Sequence, residues 1–301
     1  MDLIQIGAAP DGDRAGRLPS WLRKPATDFA SVHELKAGLR QRSLHTVCES
    51  ARCPNLHECF SRGTATFMIL GNTCTRTCGF CAVPQGLPGP LDLQEPGQVA
   101  EMARAMDLRQ VVITSVNRDD LPDGGSALFA DTVRAVKRAL PKARVEALVP
   151  DFLGDFDAVG RVLASGCDVF NHNVETVARL YRRVRPQADY GRSLEVLRFA
   201  RSHAPAVLTK SGLMVGLGET EAEVRGLLAD LRAAGTDVAT IGQYLQPRRR
   251  RLPVHEYVRP EVFDRYRDFG KSIGFRAVFS GPFVRSSYMA EALDAEILAR
   301  Q

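Results

Sequence analysis

The sequence has no run of apolar residues near the roughly 20 that a membrane-spanning helix needs. Its first residues, MDLIQIGAAPDGDRAG, lack the basic-then-apolar layout of a secretory signal peptide. No internal repeat or low-complexity tract is visible along the chain. These absences predict a protein without a membrane segment that stays in the cytoplasm, where cysteine thiols are kept reduced.

The composition is that of a globular protein, with 45% hydrophobic and 25% charged residues. A length of 301 residues allows one large domain or two ordinary ones. The net charge of +5 suits an acidic macromolecular partner, although an arginine-rich composition produces such a balance without any partner.

Cysteine is concentrated in one short region, where two triplets account for all but one of the seven cysteines. Cys48, Cys53 and Cys59 have the spacing C-x4-C-x5-C, and Cys74, Cys78 and Cys81 have the spacing C-x3-C-x2-C. Three thiolates hold three corners of a four-iron cubane and leave the last iron for another ligand. In a reducing compartment we therefore expect two metal clusters rather than disulfides.

From residue 64 onward, apolar strand-like runs alternate with amphipathic helical patterns. We predict strands at Thr64–Leu70, Gln110–Thr114, Val145–Val149, Asp168–Asn171, Val207–Val215, Val238–Tyr244 and Arg276–Ser280. We predict helices at Ser31–Arg40, Gly97–Met106, Ser126–Leu140, Phe156–Ala164, Val174–Tyr181, Ser193–His203, Glu219–Ala234, Pro260–Ile273 and Tyr288–Ala299. This alternation predicts an α/β fold with a parallel sheet covered by helices, and leaves open whether the sheet is a barrel or an open, doubly wound one.

The second triplet begins directly after the first predicted strand, at the edge where (β/α) proteins collect their active sites. Gly71 and Gly79 allow the loop to curl tightly. A zinc site is the main alternative, but it would need a fourth Cys or His, and no histidine lies within this loop. The spacing favours an iron–sulfur cluster.

The first triplet is less specific when it is read alone. Its spacing is compatible with an iron–sulfur cluster, with a zinc site completed by His45 or His57, or with neither.

The second triplet, with Phe80 before Cys81, resembles the signature of the radical S-adenosylmethionine (SAM) enzymes. Around the first triplet the sequence reads CESARCPN, and far from it Arg285–Tyr288 reads RSSY. Together these motifs resemble those of the lipoyl synthase family. Further matching stretches are Thr114–Leu121, Phe170–Asn173, Lys210–Glu219 and Tyr244–Pro247, so the resemblance runs from about residue 20 to about residue 290.

The resemblance implies a partial (β/α)6 TIM-like barrel of the radical SAM type. Residues 1–63 would form an N-terminal extension that carries the cysteines of an auxiliary cluster, and residues 64–283 would form the barrel. Residues 284–301 would form a C-terminal extension with the RSSY motif and the last helix.

The resemblance also implies roles for the cysteines and one serine. Cys74, Cys78 and Cys81 would hold a [4Fe-4S] cluster whose open iron binds SAM and reduces it to a 5′-deoxyadenosyl radical. Cys48, Cys53, Cys59 and Ser287 would hold a second [4Fe-4S] cluster that donates its sulfur. Read without the resemblance, Ser286 or Ser287 is the N-cap of the last helix.

The implied reaction inserts two sulfur atoms, at C6 and C8, into an octanoyl chain bound to a lysine of a lipoyl carrier protein. The alternatives are another radical SAM sulfur inserter, similar to biotin synthase, and an iron–sulfur electron carrier or scaffold without catalysis.

Five residues outside the triplets are predicted to contact SAM: Phe80, Asn117, Asn173, Glu175 and Lys210. Asn117 and Asn173 follow predicted strands, at the mouth of the expected barrel, where the loop with Asn117 either binds SAM or simply turns the chain. Asn173 alternatively caps a helix that begins at Val174. A lysine inside an apolar strand is costly unless it is paired, so Lys210 is either an edge residue or reaches a carboxylate of cofactor or substrate.

The implied partners are octanoylated carriers, namely the E2 component of 2-oxoacid dehydrogenases and the glycine cleavage H protein. They also include an electron donor such as flavodoxin or ferredoxin and an iron–sulfur carrier that rebuilds the auxiliary cluster. The run Arg248–Arg251 is either a solvated patch or a dock for an acidic carrier. We expect no nucleic-acid partner, because no aromatic residues are interleaved with these arginines. Cys167 stands alone and is predicted to be a small buried hydrophobe.

Overall fold

The computed structural model describes residues 18–23, 38–40, 42, 44–50, 53, 55–61 and 64–287, with no account of the side chains of 57, 60 and 61. The predicted last helix, Tyr288–Ala299, and most of the predicted helix Ser31–Arg40 lie outside the described residues. Within these residues, no helix combines the length and apolar character needed to cross a membrane.

A single curved sheet of eight strands organises the described part of the chain. In spatial order the strands are β1 (His45–Thr46), β2 (Thr64–Ile69), β3 (Gln110–Ser115), β4 (Arg144–Leu148), β5 (Val169–Asn171), β6 (Leu208–Val215), β7 (Val238–Gln243) and β8 (Ala277–Gly281). Strands β2 to β8 are parallel, and β1 is antiparallel to β2. No described pairing joins β8 to β1, so the sheet is an open barrel. This confirms the predicted α/β partial barrel.

Helices cover the outer face of the sheet. The helices of the described residues are α1 (Val47–Ser50), α2 (Leu56–Ser61), α3 (Glu95–Ala105), α4 (Ser126–Ala139), α5 (Phe156–Leu163), α6 (Tyr181–Val184), α7 (Tyr190–His203), α8 (Glu221–Ala233) and α9 (Pro260–Ser272). Helices α3, α4, α5, α7, α8 and α9 each follow one strand from β2 to β7, which gives the six βα units of the predicted barrel.

The strands are mostly buried, and largely apolar, because both faces of the sheet are covered. Every residue of β2 and of β7 is buried. Phe67, Phe129 and Phe170 are fully buried between the sheet and its helices. Cys167 is buried in the same core, as the sequence predicted.

Local capping explains where two of the helices begin. Asp155 accepts hydrogen bonds from the backbone N–H groups of Asp157 and Ala158 at the start of α5. Thr220 and Glu223 form a capping box at the start of α8. Both arrangements satisfy N–H groups that have no partner inside the helix.

The predicted helix Val174–Tyr181 is wrong. Glu175 adopts a left-handed backbone conformation (φ 66°) and forms an isolated bridge with Leu213 of β6. Its N–H donates to Gly212 O at 2.9 Å, so this segment pairs with the sheet, and helical structure begins only at the 3-10 turn Ala178–Leu180. Asn173 therefore caps no helix at Val174. Strand β1 was not predicted because two residues show no periodicity.

Candidate functional site

A cavity of about 560 Å³ opens inside the curved sheet, where polar residues follow the strands. Its lining includes residues at or just after the carboxyl ends of β3, β4, β5 and β7. Both cysteine triplets contribute to the lining, together with Ser287; the lining cysteines are Cys48, Cys53, Cys74, Cys78 and Cys81. Cys59 lies on α2 and is not one of the lining residues. The fold thus brings two separate sequence motifs and the C-terminal serine to one cavity.

The loop with the second triplet starts with a sharp reversal after β2, where Leu70 (φ 67°) and Gly71 (φ 95°) are left-handed. The loop then closes on itself. The N–H of Cys74 donates to Pro84 O at 2.8 Å, and the N–H of Gly86 donates to Cys74 O at 3.0 Å. This closure holds the three sulfurs on the cavity side of the loop.

Backbone N–H groups point at one of these sulfurs. Cys74 Sγ accepts from the N–H of Arg76 at 3.4 Å and from the N–H of Asn117 at 3.3 Å. Burial raises the pKa of the Cys78 thiol and raises that of the Cys81 thiol to about 11. Such thiols become thiolates when a metal centre displaces the proton, and N–H donors stabilise the sulfur charge in iron–sulfur sites.

Arg76 anchors the loop between the cysteines to two other strand ends. Its Nε lies 2.7 Å from Asp119 Oδ2, after β3, and its Nη2 lies 2.6 Å from Asp151 Oδ1, after β4. Only 3% of Arg76 is exposed, and Asp151 is fully buried. Burial opposes ionisation of Asp151, but hydrogen bonds and the charge of Arg76 prevail and lower its pKa to about 2. Nothing in the sequence alone marked Arg76 or Asp151.

Four of the five predicted SAM contacts line the cavity: Phe80, Asn117, Asn173 and Glu175. Asn173 Nδ2 donates to Glu175 Oε1 at 3.1 Å, and burial raises the pKa of Glu175. The side-chain oxygens of Asn117 and Asn173 are buried without a partner among the described residues. Because an unpaired buried acceptor is costly, these oxygens are suited to a ligand that donates hydrogen bonds.

Lys210 is placed differently from the prediction. Its Nζ lies 2.9 Å from Glu146 Oε2, and both side chains are buried, at 2% and 0% exposure. Asn171 donates to the other oxygen of Glu146 at 2.7 Å. Lys210 is not among the residues that line the cavity. Lys210 is therefore part of a buried ion pair outside the cavity lining. This pairing is expected, because a buried lysine ammonium is costly without a carboxylate nearby.

His172 and Arg185 also line the cavity, although neither was on the list of predicted SAM contacts. His172 Nδ1 lies 2.9 Å from Val149 O, and His172 Nε2 has no partner among the described residues. Burial, and then the charge of Arg185, lower the pKa of His172 to about 4. Arg185 donates to the carbonyl of Asn173 at 2.9 Å. His172 lies within the stretch Phe170–Asn173 that matches the family pattern, whereas no sequence pattern indicated Arg185.

The C-terminal segment is held against the first triplet. The fully buried Asn55 donates through Nδ2 to Phe283 O at 2.6 Å. The four residues that follow Phe283, including Ser286 and Ser287, line the cavity with Cys48 and Cys53. Burial and the neighbouring Cys53 raise the pKa of the Cys48 thiol to about 12. One hydrogen bond therefore ties the two ends of the predicted auxiliary site together.

Within the described residues, no three His, Cys, Asp or Glu side chains converge on a point where a single metal ion would sit. A four-iron cubane takes its ligands at separate corners, so it does not need that convergence. The buried thiols, the N–H donors to sulfur and the unpaired acceptors fit a cluster with SAM beside it.

Comparison with known proteins agrees with this site. Residues 68–231 match the model of the radical SAM superfamily, and residues 8–53 match the model of the N-terminal domain of lipoyl synthase. The chain is 57% identical over 277 residues to the lipoyl synthase of Rubrobacter xylanophilus, covering 92% of this chain and 86% of that protein. It is 50% identical over 300 residues to the lipoyl synthase of Symbiobacterium thermophilum, covering 99% and 94%.

Solved structures share the fold at low sequence identity. The [FeFe]-hydrogenase maturase HydG superposes with a TM-score of 0.55 at 13% identity, covering 81% of this chain and 65% of that one. Streptococcus suis SuiB bound to S-adenosylmethionine superposes with a TM-score of 0.54 at 11% identity, covering 81% and 57%. On the strength of the curated relatives and the matched models, this chain belongs to the lipoyl synthase family of the radical SAM superfamily.

Proposed function

We propose that this chain inserts sulfur at C6 and C8 of an octanoyl group carried on a lysine of a lipoyl carrier protein. The observation that carries the proposal is the single cavity lined by cysteines of both triplets and by Ser287. Sulfur insertion at an unactivated carbon needs a radical source and a sulfur source within bonding reach of the same acyl chain. A single cavity can hold both sources close to that acyl chain.

Cys74, Cys78 and Cys81 hold one [4Fe-4S] cluster, and Cys48, Cys53, Cys59 and Ser287 hold the other. When bound there, the clusters and SAM supply the radical and the sulfur, chemistry that protein side chains lack. Ser287 would be the weakest ligand of the second cluster, because an alkoxide is harder and more basic than a thiolate and takes up a proton more readily.

Other residues of the cavity bind and orient the acyl chain and SAM. Met68, Val116 and Leu213 provide apolar wall for an eight-carbon acyl chain. The unpaired oxygens of Asn117 and Asn173 accept hydrogen bonds from SAM, with Phe80 and Glu175 beside them. We assign no SAM contact to Lys210, because its ammonium is already paired with Glu146.

The wider assignments rest on family membership. We propose residues 1–63 as the extension that carries the auxiliary cysteines, 64–283 as the barrel and 284–301 as the closing extension. The substrate carriers are the E2 component of 2-oxoacid dehydrogenases and the H protein, the electron donor is a flavodoxin or ferredoxin, and an iron–sulfur carrier rebuilds the second cluster. We propose that the protein works in the cytoplasm.

The test is anaerobic reconstitution followed by iron and sulfide quantification and incubation with SAM, a reductant and an octanoylated carrier. We expect about eight iron atoms per chain, since two four-iron clusters are proposed, and a lipoylated product seen by mass spectrometry. Cleavage of SAM without sulfur insertion into the octanoyl group would favour a different radical SAM sulfur inserter. Iron–sulfur content without SAM cleavage would favour an electron carrier or scaffold.

A further inference from the structure

Five exposed arginines lie on two segments beside the cavity mouth: Arg182, Arg183, Arg248, Arg249 and Arg250, here termed the arginine rim. Arg248 directly follows Gln246 and Pro247, which line the cavity. Arg182 and Arg183 lie on α6, three and two residues before the cavity-lining Arg185. Both segments therefore adjoin the cavity lining, and the lining residue Gln246 is itself exposed to solvent.

The two segments meet at the loop of the second triplet. The N–H of Gly79 donates to Val184 O at 2.9 Å, and the N–H of Leu252 donates to Gly79 O at 3.0 Å. A Cβ at Gly79 would lie 2.8 Å from Leu252 Cδ1 and 3.2 Å from Arg183 O. This close packing places the two basic segments on either side of Gly79, within one continuous surface.

The rim segment 248–252 is held by several hydrogen bonds. The N–H of Arg251 donates to Arg248 O at 2.9 Å, which forms a turn. Gln246 Nε2 donates to Arg251 O at 2.7 Å, and Tyr244 Oη donates to Leu252 O at 2.7 Å. The backbone that carries these arginines is thus held in a defined turn, which lowers the entropy cost of binding.

The rim charges are uncompensated within the described part of the chain. Arg179 pairs with Glu223, Arg201 with Asp237, and Arg265 with Glu221. No described carboxylate forms an ion pair with any arginine of the rim. A cluster of unpaired guanidinium groups at a cavity mouth attracts a polyanionic partner and raises its association rate.

We propose that the arginine rim docks the acidic face of the protein that carries the octanoyl-lysine. This inference rests on the proposed function, since that function requires a carrier to insert one acylated lysine into the cavity. The octanoyl group is attached to a single lysine side chain. The carrier surface around that lysine must therefore lie against the rim while the acyl chain is inside the cavity. Carboxylates on that surface then face the guanidinium groups, and arginine is well suited to bind them bidentately.

The test compares two substrates and two matched variants. One substrate is an octanoylated lipoyl carrier domain, and the other is an uncharged tripeptide with a central octanoyl-lysine. The rim variant is Arg248→Glu/Arg249→Glu/Arg250→Glu. The control is Arg104→Glu/Arg109→Glu/Arg138→Glu, three exposed arginines near the amino ends of the strands, with the same change in charge.

For the rim variant we expect KM for the carrier to rise at least tenfold while kcat stays nearly unchanged. KM and kcat for the tripeptide should change less than twofold. The control variant should match the wild type on both substrates. Raising the salt concentration should raise KM for the carrier with the wild type and have little effect with the rim variant, because salt screens exposed charges. A carrier whose carboxylates near the acylated lysine are changed to lysine should regain affinity for the rim variant.

The proposal is overturned if the rim and control variants have the same KM for the carrier, or if the rim variant loses activity equally on both substrates. It is also overturned if the rim binds a single-stranded RNA oligonucleotide while KM for the carrier is unchanged by the substitutions, which would assign the arginines to nucleic acid. Wild-type protein that forms no lipoyl product from either substrate would instead refute the proposed function, and the docking role with it.

Discussion

Asp151 Oδ1 lies 2.6 Å from Arg76 Nη2, and this buried contact joins the loop between Cys74 and Cys78 to the end of β4. Asp119 takes two more hydrogen bonds from the same guanidinium, and Arg192 reaches Asp151 at 3.2 Å. The position of the cysteine loop therefore depends on two neighbouring strand ends as well as on its own backbone.

Arg76→Met should lower the free energy of unfolding by about 3 kcal/mol, because it leaves the buried Asp151 without its main partner. It should also slow SAM cleavage more than tenfold, since the cysteine loop is no longer anchored. Arg76→Lys should recover part of the stability but less of the cleavage rate, because an ammonium cannot bind two carboxylates with the same fork geometry. Chemical unfolding and 5′-deoxyadenosine release measure the two effects.

The control for Arg76 is Arg134→Met on α4. Arg134 pairs with Asp131 at 2.9 Å, but both side chains are well exposed to solvent. Exposed pairs contribute at most about 1 kcal/mol, so this variant should match the wild type closely. Equal destabilisation by the two methionine variants would contradict the anchoring role of Arg76.

Ser287→Cys should leave both clusters assembled but impair sulfur insertion. A thiolate binds iron more firmly than an alkoxide, so the corner that has to open for sulfur release would stay closed. Iron and sulfide content should match the wild type while the yield of lipoyl product falls at least tenfold. Ser286→Cys, one position earlier in the same segment, is the control and should retain activity. Full turnover by the Ser287 variant would rule out serine as the weakest ligand of the second cluster.

Lys210 and Glu146 form a buried pair, and breaking it from either side should be costly. Lys210→Met or Glu146→Leu alone should lower the free energy of unfolding by about 3 to 5 kcal/mol, since each leaves a buried charge without its partner. The double variant should be less destabilised than the sum of the two, because well-packed apolar side chains replace a buried ion pair at little cost. Denaturant unfolding of all four proteins closes the cycle, and strict additivity would show that the two charges do not interact.

The sequence was sufficient to predict the architecture, because each of the long parallel strands is an apolar run between amphipathic helices. It was not sufficient at Glu175, where the hydrogen bond with Gly212 replaces the expected helix, since that contact depends on a strand far along the chain. The same reason explains why β1 escaped prediction: its two residues are ordered by pairing with Phe67 and Met68.

For the candidate site, cysteine spacing identified the triplets and the resemblance pointed to Ser287. No sequence pattern identified the residues that hold the cysteine loop in place. Arg76 is one arginine among many until its carboxylate partners are known. Lys210 shows the opposite error, because an ionisable group in an apolar strand signals either a ligand contact or an internal partner. Only the fold reveals that Glu146 is that partner.

His172 should make the stability of the protein fall as the pH is lowered. An unfolded histidine takes up a proton near pH 6.5, but in the folded protein the pKa of His172 is about 4. Between these values the unfolded state binds more protons, so lowering the pH from about 7.5 to about 5.5 should cost about 1 kcal/mol of unfolding free energy. His172→Gln should lack this contribution, whereas the exposed His255→Gln should behave as the wild type. An identical pH dependence in all three proteins would contradict the buried neutral imidazole.

Gly242, in β7, controls how closely the C-terminal segment approaches the sheet. A Cβ at this position would collide with the backbone carbonyl of Val284, and it would lie 3.1 Å from Arg285 Nη1. Backbone cannot move aside as a flexible side chain can, so Gly242→Ala should displace the segment that carries Ser287. Because Cys74, Cys78 and Cys81 lie on a different loop, the loss should fall on the auxiliary cluster alone.

Anaerobically reconstituted Gly242→Ala should therefore hold about four iron atoms per chain instead of about eight. It should still cleave SAM to 5′-deoxyadenosine but form little lipoyl product. Gly226→Ala on α8, where a Cβ would meet nothing within 4 Å, is the matched control and should retain full iron content and product yield. A Gly242 variant with full iron content and normal sulfur insertion would show that the close approach of Val284 is not needed to position Ser287.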